Sequence, residues 1–417
     1  MRKTRKHYRF VLTALALTLM ASCASGTAES ESPSQRTITW WDYFGYSPAS
    51  NQAVDTLIAR YQQEHPHVQI KRTAVEFGKF HDKLVEAESS GTFPDIAVVD
   101  TSDVPWLASQ NAIANLTPQF DRWDKANQFL EPVLDSVTHQ DNLFGVPLRS
   151  NTTALIYNKD QLAQASIATP PATWQDLRTN AKALTEDGRH GLCFGAAANE
   201  TLTFNFLPLL WQAGGDVGTI AEKPGVDALG LLDAFFNKDQ SVPEDALTWS
   251  HSDAQKAFEQ GRCAMMINGP WVLPSVAKAP FQWGTAPLPA GEKGVFSTLG
   301  GEAWVIGSRS PNSDVAWDVL QWLAESRNSA KELGGGLGAI PNRNDTLNDP
   351  VWKWGPGVGA YISEMLSTRS RSNYGPQYSK VSEAVWTMTH QVVKGEKKPQ
   401  AAATEAAAKI RPLLPTS

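Results

Sequence analysis

The sequence predicts an α/β protein built as two lobes, on three observations. Between residues 37 and 100 short apolar runs alternate with longer amphipathic ones in the order β-α-β-α-β, the pattern of a doubly wound sheet. About 380 residues lie beyond the leader and tether described below, more than one hydrophobic core comfortably holds. Residues 263–268 form a short apolar run between Gly261 and the Gly269-Pro270 break, which reads as a buried strand. That strand delivers Trp271 where open α/β sheets collect ligands, outside the carboxyl ends of their strands.

The first residues are a leader. Arg2, Lys3, Arg5, Lys6 and Arg9 form a positive region, and residues 10–20 an apolar one. The run is too short to span a bilayer and ends in small residues, so residues 1–22 read as a secretory signal. Met20-Ala21-Ser22-Cys23 resembles a bacterial lipobox, with Met20 where Leu is usual, which makes Cys23 the lipidation candidate. Residues 23–36, rich in Ser, Ala and Glu, suit a flexible tether. Removing the leader takes five of the 37 Lys and Arg and none of the 43 Asp and Glu. The mature chain is therefore near −11, which argues against nucleic acid.

Within the folded part, residues 37–42 read as a strand. Ser47-Pro48 opens a helix that runs to Glu64 and is ended by Pro66. A strand at 68–74, a helix at 79–90 stopped by Gly91, and a buried strand at 94–100 follow. Asp95 reads as a structural turn residue. Thr173 and Asp176 have the spacing of a capping box that opens a helix to Leu184. Residues 204–211 read as an apolar helix ended by Gly214-Gly215. Ser250, Ser252 and Asp253 offer caps to a helix that Gly261 terminates. Residues 283–289 read as the strand by which the chain returns to the first lobe. Thr298-Leu-Gly-Gly-Glu-Ala-Trp304 sets a glycine pair and an aromatic before another strand, and 313–325 is a helix. The G-x-G-x-x-A spelling at 334–339 follows a helix and opens none, so it is not a dinucleotide loop. The tail is a helix pair, 379–394 and 399–414, broken at Gly395. Cys193 and Cys263 fall in predicted buried strands. Two leftover cysteines in an exported chain favour one disulfide, with two inert buried thiols as the alternative.

Phe258-Glu-Gln-Gly-Arg-Cys-Ala-Met-Met-Ile-Asn-Gly-Pro-Trp271 resembles the G-x-x-A-M-x-x-N-G-P-W segment of the solute-binding proteins of bacterial sugar ABC transporters, the maltose-binding kind. Further matches are ITWWDYF at 38–44, YQQEHPHVQI at 61–70, GTFPDI at 91–96 and the P-x-T-W of 171–174. NLFGVPLRSNTTALIYNKD at 142–160 resembles the family's first crossing between lobes, with Pro147 and Arg149 near the hinge. The resemblance runs from about Thr37 to Arg411. It implies a type II periplasmic-binding fold, two doubly wound lobes joined by a hinge, the first over 37–149 and 284–326 and the second over 150–283 and 327–417. It also implies an exported, lipid-anchored monomer on the outer face of the cytoplasmic membrane. Such a protein captures a sugar, an oligosaccharide, by hinge closure and delivers it to ABC permease subunits, without a cofactor.

No H-E-x-x-H, G-x-S-x-G, C-x-x-C or Walker motif occurs, and His65 and His67 flank Pro66 with no third metal ligand nearby. Fifteen tryptophans are the informative excess. Trp123, Trp174, Trp317, Trp322 and Trp386 sit in helical patterns and read as packing. Trp40, Trp41, Tyr43, Trp271, Trp304, Trp354 and Tyr378 lie at breaks or element ends, where rings can meet the C–H faces of a sugar. In the resembled family the aromatic of N-G-P-W stacks on a sugar ring, which assigns that role to Trp271. Polar candidates are Asp42, Asp100, Ser102, Asn151, Glu200, Asn205, Glu302 and Arg343, with Gly301 beside Glu302. Asn151 stands where the maltose binder has a ligand-binding Glu, and Glu200 matches a sugar contact loosely. Two alternatives stand: a secreted carbohydrate-active enzyme with a Trp-lined cleft, and the same fold binding a non-sugar solute such as a glycerol phosphodiester. The second would want a basic cleft around Arg149 and Arg343, whereas the mature chain is acidic.

Overall fold

The structure, a computed structural model, describes residues 34–186, 188–347 and 355–415; the leader, Cys23 and Trp354 lie outside the described residues. Strand β1 (Arg36–Asp42) buries Ile38, Trp40 and Asp42 on one face, as period-two alternation requires. The helix Pro48–Glu64 follows. Ser47 Oγ accepts the Ser50 N–H at 3.1 Å, and Pro48 occupies the first helical turn, where a missing N–H is harmless. Strand β2 (Val68–Ala74), the helix Phe77–Ser90 and strand β3 (Ile96–Asp100) complete the expected alternation. A small hairpin, β4 (Thr138–His139) and β5 (Asn142–Leu143), leads to β6 (Val146–Asn151) and β7 (Ala154–Asn158). The remaining strands are β8 (His190–Cys193), β9 (Cys263–Asn268), β10 (Trp283–Ala286), β11 (Ser297–Ile306) and β12 (Thr368–Ser370).

Two sheets result. The first has the order β12-β11-β3-β1-β2, with β6 also paired to β11. Its β1 runs parallel to β2 and β3, while β11 runs antiparallel to β3 and β6. The second has the order β10-β7-β9-β8. Each sheet carries its own apolar core, one around Ile38, Val98, Val305 and Leu320, the other around Leu155, Leu192, Met265 and Val385. These are the two lobes.

The lobes are joined where β6 and β11 lie side by side. Strand β6 runs out of the first core and passes through Thr152 and Thr153 into β7 of the second sheet. Strand β11 begins beside those threonines, with the Ser297 hydroxyl bonded to Thr152 and Thr298 Oγ1 donating to Phe204 O at 3.1 Å. It ends deep in the first core, and all ten of its residues are buried. Gly301 takes φ 143° there, and a Cβ on it would stand 2.5 Å from Arg149 O, so the close pairing of the crossing strands requires glycine. A third passage follows: Ala339 packs in the first core, Ile340 in the second, and Ile340 N donates to Ser150 O at 3.2 Å.

Three expectations are corrected. The strand at Trp283 does not return to the first lobe. It pairs antiparallel with β7, Trp283 opposite Asn158, because Trp283 and Ala286 pack on the second core. The return waits for β11. Nor does the first core stop at residue 326: Leu333, Leu337 and Ala339 all belong to it. The cysteines form no bridge; both are free and buried. In the parallel pairing of β8 and β9, Cys193 lies opposite Met266 and Cys263 opposite His190. Across that stagger the two buried thiols still lie beside each other: burial first, then the neighbouring Cys263 thiol, push the Cys193 thiol well above its ordinary value.

Candidate ligand-binding cleft

Between the two cores lies a cleft of about 130 Å³, lined from both lobes. Its second-lobe wall is aromatic, and local sequence explains how. Strand β9 ends at the buried Asn268, whose side chain donates to His251 O at 2.9 Å and accepts the Gly269 N–H at 2.9 Å. Residues Pro270–Val272 then form a single turn that folds the Trp271 ring back over Gly269, where any Cβ would overlap the ring. Gly338, at φ 63°, braces the same turn from outside; a Cβ there would lie 2.8 Å from Trp271 Cα. The Trp271 ring is half-buried, with His251 edge-on at 5.3 Å and Phe204 tilted at 6.4 Å. His251 is the first residue of the helix His251–Glu259, held in place by the reciprocal capping box of Ser250 and Asp253.

The first-lobe wall is Tyr43, Tyr46 and Phe77, with Tyr43 edge-on to Phe77 at 5.1 Å and to Phe80 at 5.2 Å. At the hinge, Arg149 and Glu302 form a two-pronged, buried ion pair, and Arg149 Nη1 also donates to Leu337 O at 2.8 Å. Burial, then the Glu302 and Asp100 carboxylates, raise the Tyr43 hydroxyl well above its ordinary pKa, so it stays a neutral donor.

A second ion-pair system sits beside the first. Arg371, 1% exposed, gives Nη1 to Glu200 Oε1 at 2.6 Å and Nη2 to Asp100 at 2.7 and 3.0 Å. It thereby ties the end of β3 in the first lobe to the start of the helix Glu200–Gln212 in the second. Its guanidinium carbon stands 4.8 Å over the Phe204 ring. Glu200 also accepts from Tyr378 Oη at 2.7 Å and from the Ser382 hydroxyl. Burial raises the Glu200 carboxyl above its usual range, outweighing the opposing Arg371 charge. Burial, with the Arg371 charge behind it, lowers His251 to about 4, so its imidazole is neutral at pH 7. The cleft thus holds two cations, both paired, against three carboxylates. A neighbouring chamber shares Tyr43, Phe77, Asp100 and Glu200 with the cleft and is completed by His81, Asp82, Ser102, Tyr378 and Trp386.

Residues 47–330 match the sequence model of the family described as bacterial extracellular solute-binding protein. The chain belongs to the bacterial extracellular solute-binding proteins. Among them it is similar to the maltotriose-binding protein of Pyrococcus abyssi, 25% identical over 343 residues that cover 79% of this chain and 71% of that one. Its fold matches an ABC transporter solute-binding protein of Thermotoga lettingae bound with α-D-tagatose, TM-score 0.82 at 25% identity, over 91% of this chain and 100% of that one. It also matches the GacH receptor of Streptomyces glaucescens, solved unliganded and with acarbose, TM-score 0.82 at 25% identity, over 91% and 98% of the two chains. The expected type II two-lobed fold, of the maltose-binding kind, is therefore this chain's fold. These relatives are binders, not enzymes, and the carbohydrate-active-enzyme alternative is set aside.

In this solute-binding protein the cleft brings together Tyr43, Asp100, Asn151, Glu200, Trp271, Gly301 and Glu302 of the expected residues. Ser102 and Tyr378 line the neighbouring chamber instead. Five expected residues do not face the cleft. Trp41 points to the opposite face of β1 from Trp40 and packs under the Lys83 ammonium, 4.1 Å from the ring. Asp42 is fully buried by its strand parity. It accepts from Arg72 at 2.7 and 2.8 Å, from Trp40 Nε1 and from the Phe44 N–H. Asn205 turns inward to donate to Gly195 O at 2.8 Å. Trp304, on a strand paired on both sides, packs edge-on against Trp40 at 5.1 Å. Arg343 pairs with Asp345 at 2.9 Å over Trp123 and Phe129. Asp95 is structural, as read: it bonds Thr39, Ser310 and Asn312. The reading of the sequence passed over Arg371, His251, Phe204, Tyr46 and Phe77. Only His251 had a local signal, its place inside the Ser250–Asp253 capping box.

Proposed function

We propose that this solute-binding protein captures an uncharged sugar, an oligosaccharide, in the cleft between its lobes and hands it to an ABC permease. The observation that carries this reading is the aromatic wall of Trp271, Phe204 and His251 facing Tyr43, Tyr46 and Phe77 across a cleft rimmed with paired charges. Apolar sugar faces lie on such rings, while hydroxyls find the surrounding donors and carboxylates. The neighbouring chamber, which shares Tyr43, Phe77, Asp100 and Glu200 with the cleft, is where further sugar units would extend. Closure is favoured by contacts that only the closed form makes to both lobes. An anionic solute such as a glycerol phosphodiester is disfavoured, because both cleft arginines are already neutralised and Arg343 lies elsewhere. The lipobox supports attachment through Cys23 to the outer face of the cytoplasmic membrane.

Thermal melts against glucose- and galactose-based oligosaccharides, tagatose, acarbose and glycerophosphocholine test this. A ligand at 100 times Kd adds about 2.7 kcal/mol to stability. Maltotriose or another oligosaccharide is expected to raise Tm, and glycerophosphocholine to leave it unchanged; the reverse pattern would replace the sugar by the phosphodiester. For the anchor, Cys23→Ala is expected to release the protein from membranes or leave it as uncleaved precursor. A wild-type mature protein without an acyl group would remove that part of the proposal.

A further inference from the structure

We infer that Arg371 and His251 together read one hydroxyl-bearing edge of a sugar lying on Trp271, and so determine which sugars the cleft accepts; this rests on the sugar-binding reading above. Arg371 spends both terminal nitrogens on Glu200 and Asp100, which locks the plane of its guanidinium. Its remaining donor, Nε, is buried with no hydrogen-bond partner, although the residue lines the cleft. His251 Nε2 is in the same condition: buried, unpartnered, and on a residue that lines the same cleft. Buried polar atoms are nearly always satisfied, so these two on the second-lobe wall, with the unpartnered Tyr46 hydroxyl on the opposite wall, mark the place of a polar ligand group. Both lie against Phe204, the guanidinium at 4.8 Å and the imidazole at 6.0 Å from the ring, and His251 stands edge-on to Trp271.

The two groups differ in what they can do. Arg371 Nε can only donate, whereas an imidazole nitrogen donates or accepts according to its tautomer. A hydroxyl, or a neighbouring pair of hydroxyls, both accepts and donates and so satisfies both. A carboxylate could answer Arg371 but would meet Asp100, Glu200 and Glu302 in the same space. The class selected is a neutral sugar with free hydroxyls on the edge that faces the second lobe. Loss of such a hydroxyl leaves buried groups unpaired, which is how polar sites reject analogues.

The test uses the full mature protein labelled with ¹⁵N-arginine and ¹⁵N-histidine and titrated separately with maltotriose, acarbose and tagatose, each also run as a thermal melt. Arg371→Lys keeps a cation between Asp100 and Glu200 but has no Nε; it assigns the Arg371 resonance. His251→Phe keeps the ring packing and removes the nitrogens. With a sugar that raises the wild-type Tm, the Arg371 Nε–H and His251 Nε2 resonances are expected to shift. Each variant is expected to raise Kd at least tenfold, with the ligand-free Tm of His251→Phe unchanged. A sugar that binds the wild type and leaves either resonance unmoved, or binds His251→Phe equally well, overturns the inference while the sugar reading survives. If no sugar of the full melt panel, the glucose- and galactose-based oligosaccharides included, moves the wild-type Tm, the sugar reading fails and takes this inference with it.

Discussion

Trp271 reaches the cleft through a chain of local necessities: the Asn268 side chain, the missing Cβ of Gly269, and a single turn at Pro270. A micromolar binder has about −8 kcal/mol in all, and truncating a central aromatic anchor commonly costs about 2 kcal/mol or more. Trp271→Ala is therefore expected to weaken sugar binding at least about thirtyfold with little change in the ligand-free Tm, and Trp271→Phe to keep part of the affinity. Gly269→Ala separates the ring's presence from its placement. Its Cβ would overlap the Trp271 ring, so affinity should fall comparably although the tryptophan remains. Calorimetric titration with a melt of each variant decides; stability lost with affinity kept would make Trp271 a packing residue. Asp42 has the opposite expectation. Removing its charge leaves the largely buried Arg72 with the neutral Asn51 and, as its one remaining carboxylate, the exposed Asp55, and breaking such a pair costs about 3 kcal/mol. Asp42→Asn should lower the urea midpoint and leave Kd alone.

Among the elements, the helix Val358–Met365 carries the buried Glu364, 1% exposed, with one oxygen taken by the Leu288 N–H and the other unpartnered. Burial raises its pKa from 4.5 to about 7. The folded state therefore holds this proton more tightly than the unfolded chain. The resulting stability is fully present below about pH 4.5 and is lost as pH rises through about 7, a contribution of about 3 kcal/mol. Urea unfolding at pH 5 and pH 8 is expected to show a larger fall in stability for the wild type than for Glu364→Gln, which stays neutral. Equal falls would mean that Glu364 remains ionised in the fold. Elements of this kind were legible in sequence to different depths. The cap at Ser47, the stops at Gly91 and Gly261, and the capping boxes at Thr173 and Ser250 follow from residues a few positions apart. The strand at Trp283 was visible as a strand, but its partner was not, because an edge strand of four residues carries nothing that names its neighbour.

At the scale of the whole molecule, the proposed capture of a sugar requires the two lobes to move about the β6–β11 crossing. Gly301 lies there at φ 143°, and any side chain would press on Arg149 O. Gly301→Val is expected to displace the crossing strands and hinder closure. Sugar affinity should drop, and the fall in radius of gyration that scattering records on adding sugar to the wild type should shrink or vanish. A variant that closes as the wild type does would move the hinge elsewhere.

What the sequence determined by itself was the local grammar: alternating strands and helices, caps and stops, the N-G-P-W turn, and through it the family and the place of Trp271 at a strand end. Period-two burial within β1 was in principle legible too, and it separates Trp41 from Trp40 and Asp42. Only the tertiary structure decided the pairings across large separations. Arg371 meets Asp100 from 271 positions away, and Arg149 meets Glu302 from 153. Trp304 became core because its strand is paired on both sides. The physical reason is the same each time. Turns and caps are closed by hydrogen bonds between near neighbours, so residue type at a fixed spacing carries the information. A buried charge is placed by whichever partner the packed lobes bring within reach, and no spacing in the chain encodes that.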